Sequence, residues 1–347
     1  MNKTLVNHRK LNRFCKEALI KVGVDSKIAN NVASSLVLTS LRGIDSHGIF
    51  LLPHYIHGVI IGRINPQPKY KFVLKKPSAG LLDANDGFGI DAGIFAMEKA
   101  IKMATKNGIG AVSVHNSSHF GAAAIYGLMA AKSGMIGLCF TSTESLVLPF
   151  DGKRPYLGTN PICFCAPMAG EDPFCLDMAT SVVPLNKILN YKSIGKKLGP
   201  DWAVDVSGKP TDDPKKALWL LSFGGYKGYG LGIMVEVLSS ILTGMNFGKQ
   251  IVRMYPLDKK RRRLGHFFIA IDINTFISLS KFKKNLKSMC QELRGEPPLK
   301  KNGNVRVPGD PEKESFKNRS KDGIPMSDLL VTQYVQIANE LGLKPYF

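Results

Sequence analysis

The stretch GIGAVSVHNSSHFGAAAIYGLMAAKSGMIGLCFTST, residues 108–143, decides the class of fold. GIGAVSVHNSSHFG reads as a strand that runs into a loop, Ala122 to Ser133 as a helix, and MIGLCFTST as a second strand. Strand, helix and strand in succession predict a mixed α/β core. Upstream, Ile90 to Lys106 has helical apolar spacing, residues 69–83 are extended, and Asn85-Asp86-Gly87 is a turn. Downstream, NPICFCAPM and PFCLDMA predict two further strands and HFFIAIDI another. The ends are helical. Residues 9–42 space Leu11, Phe14, Leu19, Ile28, Val32, Leu36 and Leu38 for a buried face, with Asp25 placed to cap a second helix from Ser26. Residues 42–68 form a helix-like stretch closed by Gly62 and prolines, and 275–295 an amphipathic helix. Residues 296–325, crowded with Pro and Lys, predict a surface loop before a last helix at 326–341.

Composition narrows the function classes. The chain has 347 residues, 44% hydrophobic and 21% charged, which is ordinary for a globular protein. It opens with no apolar signal region, and its longest apolar run, Leu231 to Leu242, is broken by Glu236 and two serines. A soluble, cytoplasmic protein without membrane contact is expected. The net charge of +20 favours anionic substrates and a dinucleotide, but it is scattered, so nucleic acid is not the expected partner. Its one dense run, Lys259 to Arg263, reads as a solvated turn. The cysteines, Cys15, Cys139, Cys163, Cys165, Cys175 and Cys290, form no CxxC pair, so reduced thiols and no metal are expected. Cys163 and Cys165 stand two apart on one strand face, as core residues do.

No G-x-G-x-x-G with an acidic residue downstream, no G-x-x-x-x-G-K-[ST] and no G-x-S-x-G occurs, so a Rossmann, P-loop or hydrolase-elbow site is not supported. Polar residues on loops beside apolar strands are present instead. Asp45-Ser46-His47-Gly48 interrupts a helical stretch, and Ser117-Ser118-His119-Phe120-Gly121 follows a strand end. A histidine there exchanges protons near neutral pH, as carbonyl reduction requires, although a structural histidine fits the same pattern. His8, His54 and His57 read as surface or packing residues. The Gly224–Gly230 turn with Lys227 either cradles a phosphate at a helix start or is simply a tight turn. Pro308-Gly309-Asp310 says little by itself.

Taken together, RGIDSHG (42–48), NSSHFGAAAIYG (116–127), LGTNPICFCAP (157–167), LDMATSVV (176–183), GGYKGYGLGIMVEVL (224–238), GHFFIAID (265–272) and VPGD (307–310) resemble, in order, the malate/L-lactate dehydrogenase-type NAD(P)-dependent oxidoreductases that lack a Rossmann fold. The resemblance implies a homodimer with a cofactor sheet of unusual mixed topology. It also implies an N-terminal helical segment (1–75) for substrate and dimer contacts, a cofactor-binding core (76–275), and a C-terminal helical segment (276–347) packing back on the first. It makes His119 the acid/base for interconverting a small 2-hydroxy acid and its 2-oxo acid. Ser46, His47 and Tyr55 become substrate contacts. Thr143, Thr159, Asn160, Asp177, Met178, Ala179, Lys227, Pro308, Gly309 and Asp310 become cofactor contacts. Two departures bear on function. Leu51 stands where relatives carry an arginine that clamps the substrate carboxylate, and a bidentate contact of that kind is costly to lose. Lys227 and Arg154 are the candidate replacement cations. Pro184-Leu185-Asn186-Lys187 replaces an Ala-Arg-Gly-Lys type of block, which removes a 2′-phosphate partner and favours NAD over NADP. A cyclic imine carboxylate or ureido acid as substrate, and a dinucleotide-binding protein with impaired catalysis, stay open as alternatives.

Overall fold

The computed structural model describes residues 3–256, 258–301 and 303–345. The chain begins with β1 (Lys3–Val6), α1 (His8–Lys21), α2 (Ser26–Leu41) and α3 (Leu52–Ile60). The Asp25 carboxylate accepts from the N–H groups of Lys27 and Ile28, the cap expected at the start of α2. Between α2 and α3 the backbone makes two tight 3-10 turns, Asp45–His47 and Ile49–Leu51. Next come β2 (Lys71–Lys76), β3 (Ala79–Asp83), α4 (Gly89–Asn107), β4 (Ile109–Ser117), α5 (Ala124–Lys132) and β5 (Met135–Thr141). They are followed by β6 (Ile162–Ala166), β7 (Phe174–Met178), α6 (Leu185–Ser193), the short pair β8 (Ala203–Val204) and β9 (Trp219–Leu220), and α7 (Tyr226–Glu236). The chain closes with β10 (Leu264–Asp272), α8 (Leu279–Gly295), α9 (Asp310–Asp322), β11 (Ile324–Ser327) and α10 (Asp328–Leu341).

A seven-stranded sheet in the order β2-β3-β4-β10-β5-β6-β7 forms the centre. Only β3 and β4 pair in parallel, joined through α4; every other pairing is antiparallel. Because β4 and β5 both run against β10, they run parallel to each other, with β10 filling the gap that the β4–α5–β5 crossover leaves. This is the mixed, non-Rossmann sheet the resemblance implied. Small residues let helices lie close on it: Ala92, Ala96 and Ala100 of α4 and Ala130 and Ala131 of α5 are buried with Val112, Val114, Phe268 and Ala270 of the strands. Cys163 and Cys165 belong to this core, their sulfurs 3.7 Å apart. A second core gathers α1–α3 with β11 and α10, and β1 pairs antiparallel with β11, so both ends of the chain meet there.

Residues 296–325 are not the surface loop their composition predicts, because α9 occupies 310–322. Pro311 sits in the first turn, where the missing N–H costs nothing. The helix has no buried residue, so its sequence carries no apolar period. Polar contacts fix it instead: Arg319 donates to the Ser40 carbonyl and the Asp45 carboxylate, and Arg294 of α8 pairs with Asp310. Lys259 to Arg263 also departs from expectation. Arg262 is 3% exposed, because it leads into β10 with its side chain on the inner face. No helix among the described residues is long and apolar enough to cross a membrane.

Candidate active site

The loop after β4 is held rigidly. The register between β4 and β10 shifts between Leu264 and His266, where β4 ends, and irregular pairing of this kind re-aims the chain leaving a strand. Ser118 then bolts the loop to the start of α4, donating to the Gly87 carbonyl at 2.8 Å and accepting from the Gly89 N–H at 3.0 Å. Position 89 must be glycine, since a Cβ there would lie 2.2 Å from the Ser118 carbonyl oxygen. Underneath, fully buried His266 contacts Thr141 Oγ1 through Nδ1 (2.7 Å) and Ser117 Oγ through Nε2 (2.9 Å), and stacks on Phe120 at 4.8 Å. Burial pushes its pKa down to about 3, so it is a neutral brace.

His119 rides on this platform. Its Nδ1 lies 2.8 Å from the Tyr55 hydroxyl and 3.4 Å from the Gly121 N–H, and its Nε2 has no protein partner among the described residues. A phenol can donate to or accept from the ring, so Nε2 can be bare or protonated without loss of that contact. Burial, followed by neighbouring His47 and Arg262, pushes the His119 pKa well below the usual imidazole value. The His47 ring stacks with it at 5.7 Å between centroids, and Ser46 Oγ lies 2.9 Å from His47 Nδ1. Burial lowers His47 too.

Three cavities that share lining residues adjoin one another here, two of them bordered by this pair. The first, about 430 Å³, is lined by Ser46, His47, His119, Thr143, Thr159, Asp177, Met178 and Ala179 among others. The second, about 350 Å³, shares Ile44, Asp177 and Glu312 with it and adds Arg42, Arg306, Pro308 and Gly309. The third, about 550 Å³, shares Ser46, His47, His119, Thr143, Thr159 and Pro184 with the first and adds Leu51, His54, His57, Glu144, Tyr255 and Arg262. The two histidines thus stand on the wall between the first and third. Asp177 stands between the first and second; its carboxylate accepts from the Ala124 N–H at the start of α5, and burial pushes it up to about 7.

Several expected site residues lie elsewhere. Tyr55 is fully buried behind His119 rather than on a cavity wall. Asn160 is an internal brace, accepting from the Thr143 N–H and donating to Gly232 O and Glu236. Asp310 is occupied by Arg294 and the Val307 N–H. Lys227 and Arg154 are exposed and line none of these three cavities. Gly224 and Gly225 both take left-handed φ, +58° and +63°, so the turn requires glycine for its backbone alone. Sequence reading missed Arg262 and Glu144, and it left His54 and His57 as packing or surface residues although both line the third cavity. His54 is neutral: burial, then Arg262 and Arg63, push it down to about 4. Among the described residues no cluster of His, Cys, Asp and Glu is arranged to hold a metal.

A profile of the malate/L-lactate dehydrogenase family matches residues 6–334. The chain is 38% identical over 341 residues to a malate dehydrogenase of Pyrococcus abyssi, covering 95% of this chain and 93% of that one. It is 38% identical to an L-sulfolactate dehydrogenase of Methanocaldococcus jannaschii, with 94% of each covered. The crystal structure of malate dehydrogenase from Entamoeba histolytica superposes with a TM-score of 0.95 at 34% identity, covering 100% of both chains. The mixed sheet, the histidine pair on the wall between two cavities and these likenesses lead to one conclusion: the chain belongs to the malate/L-lactate dehydrogenase family.

Proposed function

We propose that this dehydrogenase interconverts a small 2-hydroxy acid and its 2-oxo acid with NAD, and that His119 moves the proton. The observation that carries the reading is the place of His119, with Nε2 free, on the wall between two cavities large enough for a cofactor end and a substrate. The residues present fit a dinucleotide along the first and second cavities. Arg42, 6% exposed, keeps Nε and Nη2 without partners beside the second, donors suited to phosphate or ribose oxygens. Asp177 offers a carboxylate acceptor between the two. Pro184 and Leu185, in place of an arginine, support NAD over NADP.

A bound nicotinamide supplies or takes the hydride at the substrate's C2. In reduction, His119 gives its Nε2 proton to the oxygen of the same carbon; in oxidation it takes that proton back. Tyr55 holds the ring at Nδ1, and Ser46 and His47 orient the acid. Phe120, Ala122 and Ala123 make the adjoining wall apolar and limit water. Assay of the purified chain with NADH and NADPH over a panel of 2-oxo acids is expected to show reduction with a higher kcat/KM for NADH. Absence of reduction with either cofactor would overturn the reading.

The working unit is a homodimer. The end of α7 and the turn after it expose Ile233, Met234, Val237 and Ile241, an apolar strip unusual on an isolated surface and suited to a second copy. Sedimentation should give the mass of two chains, and Val237→Glu should shift the population to one. A wild-type monomer at micromolar concentration would contradict this.

A further inference from the structure

The third cavity lacks the arginine expected at position 51, where Leu51 is 3% exposed and packed into the N-terminal core. The same cavity holds another cation. Arg262 is the only Arg or Lys among the described residues lining it. Two anchors fix its guanidinium: Nε donates to the Val252 carbonyl at 3.1 Å, and Nη2 to the Glu144 carboxylate. Nη1 has no protein partner among the described residues, so one edge of a preorganised fork is left open. No neighbouring cation competes for this place. Arg63, 2% exposed, lies close by and spends its Nη donors on the carbonyls of Met254 and Arg253. Among the described residues Glu144 is the only carboxylate on the cavity wall, and Arg63, which does not line the cavity, offers it no donor, so the open edge there belongs to Arg262 alone.

Resting on the proposed 2-oxo acid chemistry, we propose that Arg262, held by Glu144, is the specificity-determining residue that takes the substrate's carboxylate, and that Leu51 makes the enzyme selective for 2-oxo acids with one carboxylate and an apolar side chain. One open guanidinium edge serves one carboxylate in the bidentate manner of arginine. The remaining wall includes Leu51, Pro53, Leu146, Leu185, Leu189 and Met254, which suits a hydrocarbon side chain, and among the described residues it offers a second carboxylate no further Arg or Lys.

The test uses the full-length chain with NADH and three probes: a branched-chain 2-oxo acid, its 2-oxo amide and oxaloacetate. The wild type should prefer the monocarboxylate to oxaloacetate. Arg262→Met should raise KM for the acid about 10- to 100-fold, while the value for the neutral amide moves little. Because Glu144 is then left unpaired, R262M/E144Q serves as the folded control and should show the same loss of acid-over-amide preference. Calorimetric binding of oxamate, a non-reacting carboxylate, to the enzyme with NADH should weaken in parallel. An unchanged acid-to-amide ratio in both variants, or a wild-type preference for oxaloacetate, overturns the proposal. If the wild type reduces no probe, the 2-oxo acid reading fails instead; oxamate binding that depends on Arg262 would still establish the carboxylate clamp, and equal binding would overturn it.

Discussion

His119→Ala is expected to lower kcat for 2-oxo acid reduction roughly 10²–10⁴-fold, with NADH affinity held within a few-fold. The size follows from how the ring is held. Tyr55 and the Gly121 N–H occupy Nδ1, so Nε2 is the nitrogen left to exchange a proton. The loop behind it is fixed by Ser118 and His266, so no neighbouring histidine can swing into its place. His47 is stacked on it and tied to Ser46, which makes it a poor substitute. The pH dependence has a definite sign. Burial and the His47 and Arg262 neighbours hold His119 below the usual imidazole value of about 6.5. The free enzyme therefore carries imidazolium only at acid pH. kcat/KM for reduction should fall as pH rises through that lowered value, and kcat/KM for oxidation should rise through it and be flat by neutrality. Stopped-flow rates across pH 4–8 check both limbs. Near wild-type turnover in the alanine variant would mean that the proton comes from elsewhere.

Glu144→Ala should cost the fold about 3–5 kcal/mol, read as a lower urea midpoint at unchanged slope. Glu144 ties three parts of the site together. Its carboxylate accepts from the Met254 N–H at 3.1 Å and pairs with Arg262, whose Nε holds Val252. Deleting it leaves a guanidinium that is 3% exposed without an ionic partner, close to a second one at Arg63. Burial pushes the Glu144 carboxyl up, but the Arg262 guanidinium and the Met254 N–H more than offset this and hold it below its usual range. Its folded value being lower than its unfolded one, the stability it contributes is fully present above about pH 4.3 and is lost as pH falls through the folded value. Glu144→Gln should therefore flatten the acid limb of the stability curve below that pH and leave the neutral part merely lowered. A midpoint within experimental error of wild type for the alanine variant would show that the pair does not hold this wall.

Local elements were legible where one face of an element is apolar. The strand, helix and strand of 108–143 were read almost to the residue, because β4 and β5 alternate and α5 is small and apolar. The sheet order was not, since β10 enters between β4 and β5 from far along the chain and pairing over that distance leaves no local mark. Polar α9 escaped because helical period is seen only through apolar burial, and here it has no fully buried residue and only half-buried Phe316 against the core. The site divided in the same way. The motifs singled out Ser46, His47, His119, Thr143, Thr159, Asp177, Met178 and Ala179, and the structure places all of them on the first cavity. Arg262 was hidden inside a run of five basic residues, where local charge suggests solvent and only the fold shows that its side chain turns inward. Alternation along HFFIAID could have marked His266 as an inward-facing polar residue. Tyr55 was expected against the substrate; the structure puts it one layer back, on the far side of the His119 ring.

The central claim is hydride transfer to the carbonyl carbon of a 2-oxo acid, with the proton taken from His119. Reduction of the preferred 2-oxo acid by NADH deuterated at the transferring position, followed by NMR of the product, tests it most directly. The claim predicts a 2-hydroxy acid carrying deuterium at C2, formed at a rate that collapses in His119→Ala. A product without deuterium at C2, or one formed equally fast by the variant, would contradict it.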